Sequence, residues 1–180
     1  MHDVELVRPS AELRDSYRNL VAEVAAAGEK FVPFVLAFDH RDFDAFLRRL
    51  DDCAHGIDLP PGFVAHSTHW LVHDRTEVVG VSNIRHALTP ALRREGGHVG
   101  YGIRPGARRR GFGTAILRET LRCARELGIA PVLVTCAKAN VGSAKSILHN
   151  GGRLDSEEYI PDRNEIVQRY WIENGPRRLP

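Results

Sequence analysis

The sequence predicts an α+β domain organised around a mixed β-sheet. Three observations carry this. Apolar residues alternate along His66–His73 and again along Glu77–Arg85, the pattern of two paired antiparallel strands. A long amphipathic run over residues 109–127 follows a short strand and precedes a continuously apolar one at 131–134. A last alternating pair occupies residues 154–159 and 166–172. Strands, then strand–helix–strand–helix, then strands again is the order of a mixed-sheet fold and not of a repeating βαβ one.

Taken in order, residues 5–7 read as a strand ended by Pro9. Ser10 is the expected N-cap of a helix over 11–27, with Glu12 in its first turn, Leu13, Tyr17, Leu20, Val21 and Val24 at helical spacing, and Gly28 as the stop. Residues 31–38 are apolar but interrupted by Pro33, and read as irregular chain. Asp39 is the expected cap of a second helix carrying Phe43, Phe46, Leu47 and Leu50 on one face. Pro60-Pro61-Gly62 marks a turn. The first two alternating strands point Trp70 and Val72 one way, and join at Asp74-Arg75. Residues 89–97 read as a polar loop and 98–103 as a strand stopped by Pro105. The helix over 109–127 turns Phe112, Ile116, Leu121, Ala124 and Leu127 inward and Arg118, Glu119, Arg122, Arg125 and Glu126 outward, with Gly128 as its cap. The apolar run at 131–134 is a strand covered on both faces. A short helix over 142–150, with Ala144, Ile147 and Leu148, ends at Gly151-Gly152. No linker or repeat interrupts the chain, so residues 1–175 read as one domain and 176–180 as a tail.

Composition excludes several classes of function. The 180 residues are 43% hydrophobic and 27% charged, with a net charge of only +2, which argues against nucleic acid as a partner. No apolar run approaches the ~20 residues of a membrane span, and Asp3 and Glu5 stand where a signal peptide would be apolar. Cys53, Cys123 and Cys136 are odd in number and form no CxxC pair, so neither disulfides nor a cysteine zinc site is expected, and the chain fits a reducing cytoplasm. His66, His69 and His73 mix the two faces of one strand with no acidic partner nearby, so no metal is expected.

The chemistry concentrates in residues 103–114, where a strand ends, a basic glycine-containing turn follows and a long helix starts. The first N–H groups of a helix have no internal partner and, with the helix dipole, attract anions. Gly111 and Gly113 remove side chains where a phosphate would approach the backbone. Arg108, Arg109 and Arg110 add charge, and arginine can grip phosphate with two parallel bonds. The loop can hold a pyrophosphate. It is not a P-loop, since the Gly-Lys-Ser/Thr step is missing, and it is not a dinucleotide fingerprint, since Ile116 stands in place of the third glycine.

Two blocks together carry a family resemblance. Arg108-x-x-Gly111-x-Gly113, between a strand and a helix, and Asn140-x-x-Ser143-Ala144 followed by a short helix and Gly151-Gly152, stand in the order and at the separation seen in the GNAT superfamily of N-acetyltransferases. The chain resembles that family well over about residues 65–175 and loosely before residue 60. The resemblance implies a twisted mixed sheet split by the cofactor, with helices on both faces (the acyl-CoA N-acyltransferase fold). It implies acetyl-CoA as co-substrate, transfer to a primary amine of a small molecule or a peptide N-terminus by direct attack in a ternary complex, and a common tendency to homodimerise. Residue by residue, it assigns the pyrophosphate loop to Arg108, Arg109, Arg110, Gly111, Phe112, Gly113 and Thr114, and pairing with the pantetheine amides to Tyr101, Gly102 and Ile103. It assigns a contact to the pantetheine arm to Asn140, and a place near the sulfur to Ser143. Residues 28–38 and 160–165 would flank the acceptor entrance.

Transfer needs a base, because an alkyl amine with a pKa near ~10 is mostly protonated at neutral pH. Where many members carry a glutamate on the strand before the loop, this chain has His98, which becomes the expected base. Where many carry a tyrosine acid, seven residues after the asparagine, it has Ile147. Ser143 becomes the expected proton relay, as in the branch that acetylates ribosomal-protein N-termini. Loss of both usual groups keeps open an alternative, an acyl-CoA sensor or regulatory module of the same fold without turnover.

Overall fold

Glu77–Arg85 is a strand covered on both faces: every residue from Val78 to Ile84 is buried, and its two polar members, Ser82 and Asn83, are hydrogen-bonded to Thr120 and His66. The computed structural model describes residues 3–175, so the expected tail at 176–180 lies outside the described residues. The covered strand is β3 of a single open sheet. Its companions are β1 (Val4–Val7), β2 (His66–His73), β4 (Val99–Ile103), β5 (Val132–Ala137), β6 (Gly152–Ile160) and β7 (Glu165–Ile172), in the spatial order β1-β2-β3-β4-β5-β7-β6. All neighbours are antiparallel except β4 and β5, which run parallel and meet at one register pair, Val99 with Val134.

The helices divide between the two faces. On one side lie α1 (Arg14–Ala26) and α2 (Phe43–His55), which bury Tyr17, Leu20, Phe46 and Leu50 against Trp70, Val72 and Val81. Tyr17 stacks on Trp70 with ring centroids 4.6 Å apart. A short helix, α3 (Pro90–Arg94), links β3 to β4. On the other side, α4 (Phe112–Glu126) and α5 (Val141–His149) cover the strands. Leu117, Leu121 and Ile147 pack on Ile84, Val99 and Val134, while Phe112 and Ile116 pack on Leu71 and Val79. Neighbouring strand residues such as Trp70 and Leu71 thus serve opposite cores, as the two-residue period of a strand requires. Full burial of each such large side chain is worth ~1.5–3 kcal/mol.

Local departures from the sequence reading have identifiable causes. Ser10 makes no side-chain cap. Residues Ala11–Leu13 form a 3-10 turn and the α-helix starts at Arg14. Asp39 does not cap α2, because Arg41 turns its carboxylate back with donations from both its backbone N–H and its Nε at 3.0 Å; Asp42 caps instead, accepting from the Ala45 N–H at 3.0 Å. The polar stretch over 89–97 contains α3, capped by Thr89, whose Oγ1 accepts from the Leu92 N–H at 3.2 Å. Its five residues are too few to show a period. The helix expected from residue 109 starts at Phe112, since Arg109 (φ +61°) and Gly111 (φ +84°) are left-handed. Leu127 and Leu148, expected in the core, are 47% and 54% exposed. Among the described residues, no helix is long and apolar enough to cross a membrane.

Candidate functional site

Because β4 and β5 share one register pair, they diverge towards Ile103 and Ala137 and leave a cleft of about 680 Å³. Its walls are Tyr101, Gly102 and Ile103 of β4, Arg108, Arg109, Gly111, Gly113 and Thr114 of the following turn and helix, and Asn140, Gly142, Ser143 and Ser146 of α5. The connection between α1 and α2 covers it with Glu29, Lys30, Val32 and Leu36. Gly102 is required here: a Cβ on it would collide with the Val32 carbonyl.

The basic turn forms one end of the cleft. Within α4 the first intrahelical bond runs from the Ala115 N–H to the Gly111 carbonyl, at 3.1 Å. The N–H groups of Phe112, Gly113 and Thr114 precede it, so they are left for an external acceptor. A Cβ built on Gly111 meets nothing within 4 Å, so this residue borders open space. Arg108 is held by Glu29, whose two carboxylate oxygens accept from Nη1 and Nη2 at 2.7 and 2.5 Å; its Nε donates to the Ile103 carbonyl at 3.1 Å. Glu29 thus occupies, from within the chain, the fork that a phosphate would use. Two of the expected loop residues contribute little side chain to the cleft. Phe112 is 1% exposed and belongs to the core. The Arg110 guanidinium lies 5.0 Å from the Phe112 ring centre.

The middle of the cleft holds a chain of hydroxyls. Tyr101 Oη and Ser143 Oγ are 3.2 Å apart, and Ser146, one helical turn further on, lies beside them. Burial pushes the Tyr101 phenol up, with smaller opposing effects from Ser143 and Ser146. Burial also raises the Cys136 thiol, with the Ser143 hydroxyl partly opposing it. Asn140 caps α5, its Oδ1 accepting from the Ser143 N–H at 3.0 Å, which leaves Nδ2 as the donor for a ligand.

His98 stands apart from these residues. It is 8% exposed, at the closed end of the β4–β5 divergence, and does not line the cleft. The backbone N–H of His98 donates to the Leu133 carbonyl at 2.8 Å, and its Nδ1 accepts from the Leu133 N–H at 2.9 Å. That bond requires the tautomer with the proton on Nε2. Burial, helped by Arg93 and Arg85, pulls its pKa down to about 4. His66 and His69 fall on opposite faces of β2, and among the described residues no group of three potential ligands converges on a metal site. Sequence reasoning missed Ser146, Gly142 and Glu29. Ser146 was reachable, since it follows Ser143 by three residues on the same helical face. Glu29 was not, since its role depends on how residues 28–38 fold back over β4.

Comparison with known proteins bears on this geometry. Residues 6–153 match the family model of the acetyltransferase (GNAT) domain. The chain belongs to the GNAT acetyltransferases. No curated protein matches it by sequence. Among solved structures, this GNAT domain is similar in fold to the ribosomal L7/L12 α-N-protein acetyltransferase RimL in complex with coenzyme A (TM-score 0.67, 14% identity, 94% of this chain and 93% of that one). The microcin C7 self-immunity acetyltransferase MccE, in complex with acetyl-CoA and AMP, superposes with a TM-score of 0.64 at 14% identity, over 94% and 92% of the two chains. A dodecameric spermidine N-acetyltransferase from Vibrio cholerae gives 0.61 at 14% identity, over 95% and 94%. At these identities the likeness concerns the GNAT fold, and the acceptors of those enzymes differ from one another.

Proposed function

We propose that the protein transfers an acetyl group from acetyl-CoA to a primary amine by direct attack in a ternary complex. The observation that carries this reading is the cleft itself, with unpaired helix N–H groups and Arg108 at one end and the Tyr101–Ser143 hydroxyl pair in its middle. The pyrophosphate would bind at the α4 N-terminus, displacing Glu29 from Arg108. The pantetheine would follow the free edge of β4 at Tyr101, Gly102 and Ile103, with Asn140 Nδ2 as a further donor. Backbone N–H groups of β4 would polarise the thioester carbonyl.

The amine nitrogen then attacks that carbonyl, the C–S bond breaks, and the departing thiolate takes a proton. Ser143 supplies it and is resupplied by Tyr101, which regains a proton from the water that takes up the amine proton; its phenol stays protonated through neutral pH because burial raises its pKa. Cys136 remains a thiol for the same reason, which favours direct attack over a covalent enzyme intermediate. In this reading His98 is a positioning residue. With Nδ1 already accepting from Leu133 and Nε2 protonated, it has no lone pair for the amine proton, which leaves through water. The cleft residues all come from one chain, so the reading does not depend on the expected homodimer. The same observation on His98 favours a second reading, acyl-CoA binding without turnover.

Calorimetric titration with acetyl-CoA, free CoA and ATP tests the cofactor. Saturable binding of acetyl-CoA but not ATP is expected, and no binding by the folded protein would refute the assignment. Ser143→Ala is expected to lower kcat by ~100-fold, within the range for general acid catalysis, with acetyl-CoA affinity changed less than about threefold. Unaltered kcat would remove Ser143 from the proton path. Turnover of no amine by the acetyl-CoA-bound protein would leave the sensor reading.

A further inference from the structure

The last residue of β3 is Arg85, on the sheet face covered by α1 and α2. Its backbone N–H donates to the His98 carbonyl at 2.7 Å, so it sits directly across from the start of β4. Nη1 donates to the carbonyls of Gly96 and Gly97 at 2.9 and 3.1 Å, and the guanidinium carbon lies 5.7 Å from the Phe34 ring centre. Among the described residues no carboxylate comes within ion-pair distance of this partly buried side chain, and neither Nε nor Nη2 finds a protein acceptor. Burial alone lowers its pKa, yet a guanidinium stays charged in any case. Nε and Nη2 keep contact with solvent, so an anion that displaced that water would gain free donors and a charge that no carboxylate of the described residues offsets.

The surroundings say where that anion would lie. On this face β4 presents Gly100 and Gly102, hence no side chains beyond its backbone. A Cβ built on Gly100 would stand 3.8 Å from Arg85 Nη2 and 3.6 Å from Pro33 Cβ. Phe34 and Pro33 belong to the connection over the cleft. Gly96 and Gly97 follow Glu95, which pairs with Arg163 of the β6–β7 turn at 3.0 Å. Arg85 therefore touches one segment expected to flank the acceptor entrance directly, at Phe34, and is linked to the other through Glu95–Gly97. Gly100 adjoins Tyr101 in the strand, and a strand advances ~3.3 Å per residue. An anion held by Nη2 would thus sit within one or two residue lengths of Tyr101, where the edge proposed for the pantetheine begins.

Resting on the acetyl-transfer reading above, the geometry points to an acceptor that carries a carboxylate close to its reactive amine, with Arg85 as the residue that binds it. The shared chemistry is an amino-carboxylate, whether a free amino acid or a peptide with an acidic first residue. Arginine suits this role because its fork can donate two parallel bonds to a carboxylate.

Release of CoA thiol from acetyl-CoA, measured with four primary amines, tests the assignment: glutamate, the peptide amide Glu-Ala-Ala, its isostere Gln-Ala-Ala and putrescine. At least one of the first two should exceed both of the others by about 100-fold in kcat/KM, in the range a lost buried charge partner costs. Which of the two does so separates the sources. Arg85→Gln should abolish that preference through KM, with acetyl-CoA affinity retained, and Arg85→Lys should restore part of it. In parallel, calorimetry of the CoA-saturated protein with glutarate and with glutaramide gives a readout without turnover: glutarate should bind, and Arg85→Gln should lose it. Equal turnover of Glu-Ala-Ala and Gln-Ala-Ala, a preference that survives Arg85→Gln, or failure of CoA-saturated protein to bind glutarate overturns the inference. Failure of acetyl-CoA to bind would instead overturn the reading on which it rests.

Discussion

Gly111→Val and Gly113→Val are each expected to weaken acetyl-CoA binding by ~100-fold or more, about 2.7 kcal/mol, with the domain still folded. The two act differently. Gly111 holds the left-handed conformation at the start of α4 (φ +84°), and its missing side chain borders open space. Valine there is strained by roughly 1–2 kcal/mol and projects into the room a pyrophosphate needs. Gly113 lies in the first turn of α4, where a Cβ would come within 3.2 Å of Ser146 Oγ on α5. Valine there narrows the cleft from side to side and crowds one of the free N–H groups. Gly128→Val is the control: it has the same kind of strain (φ +74°) and an open surrounding, far along the chain from the cleft. All three should lower the urea midpoint, while only the first two should lose acetyl-CoA in a calorimetric titration. Equal affinity in all three would mean that the turn is not the phosphate site.

The second large effect is acid sensitivity. His66, His69 and His98 each have their pKa pulled down to about 4, with burial the largest cause and nearby positive charge adding to it. His66 Nδ1 accepts from Asn83 Nδ2 at 2.9 Å, and His98 Nδ1 accepts from the Leu133 N–H, so two of the three are built into hydrogen bonds. In the unfolded chain these groups titrate near ~6.5. Between the two values the unfolded state binds more protons, so stability rises with pH in that window and falls as pH drops through it. Stability conferred by the neutral imidazoles is complete above ~6.5 and is lost progressively down to about 4. The slope is ~1.4 kcal/mol per pH unit for each group, so the three together remove several kcal/mol by pH 5 from a net stability of ~5–15 kcal/mol. Urea unfolding at pH 7 and pH 5 should show a large drop in midpoint, and His69→Gln should reduce the drop by about a third. Identical midpoints at the two pH values would contradict the burial argument.

Much of the architecture was legible from period alone. The alternation in β2 and β3, the continuous apolar run in β5 and the stripe on α4 each identify an element by burial, and burial dominates their energetics. The turn proposed for the pyrophosphate stands out in the sequence because glycine spacing at a strand–helix junction has few other uses. What escaped was short or relational. Asp39 and Asp42 are both acceptable caps, and only the position of Arg41 decides between them. Helix α3 is shorter than two periods. His98 occupies the expected strand position, yet its chemistry is set by the Leu133 N–H, thirty-five positions away in sequence and invisible to any local pattern. Arg85 drew no notice in an arginine-rich chain, since its distinction is that no carboxylate among the described residues pairs with it.

One feature of the sheet bears on the free-energy balance of the whole molecule. Its two halves, β1 to β4 and β5 to β6, share a single rung at Val99 and Val134. An extended molecule laid along the free edge of β4 adds rungs to a ladder the polypeptide leaves short. Binding and folding then become one linked equilibrium, in which acetyl-CoA at a hundred times its Kd raises the unfolding free energy by ~2.7 kcal/mol. In thermodynamic terms the proposed cofactor would be a component of the native state as well as a reactant. On the proposed reaction, each turnover would return CoA to solution, and with it the protein would give up part of its own cohesion until the next molecule bound.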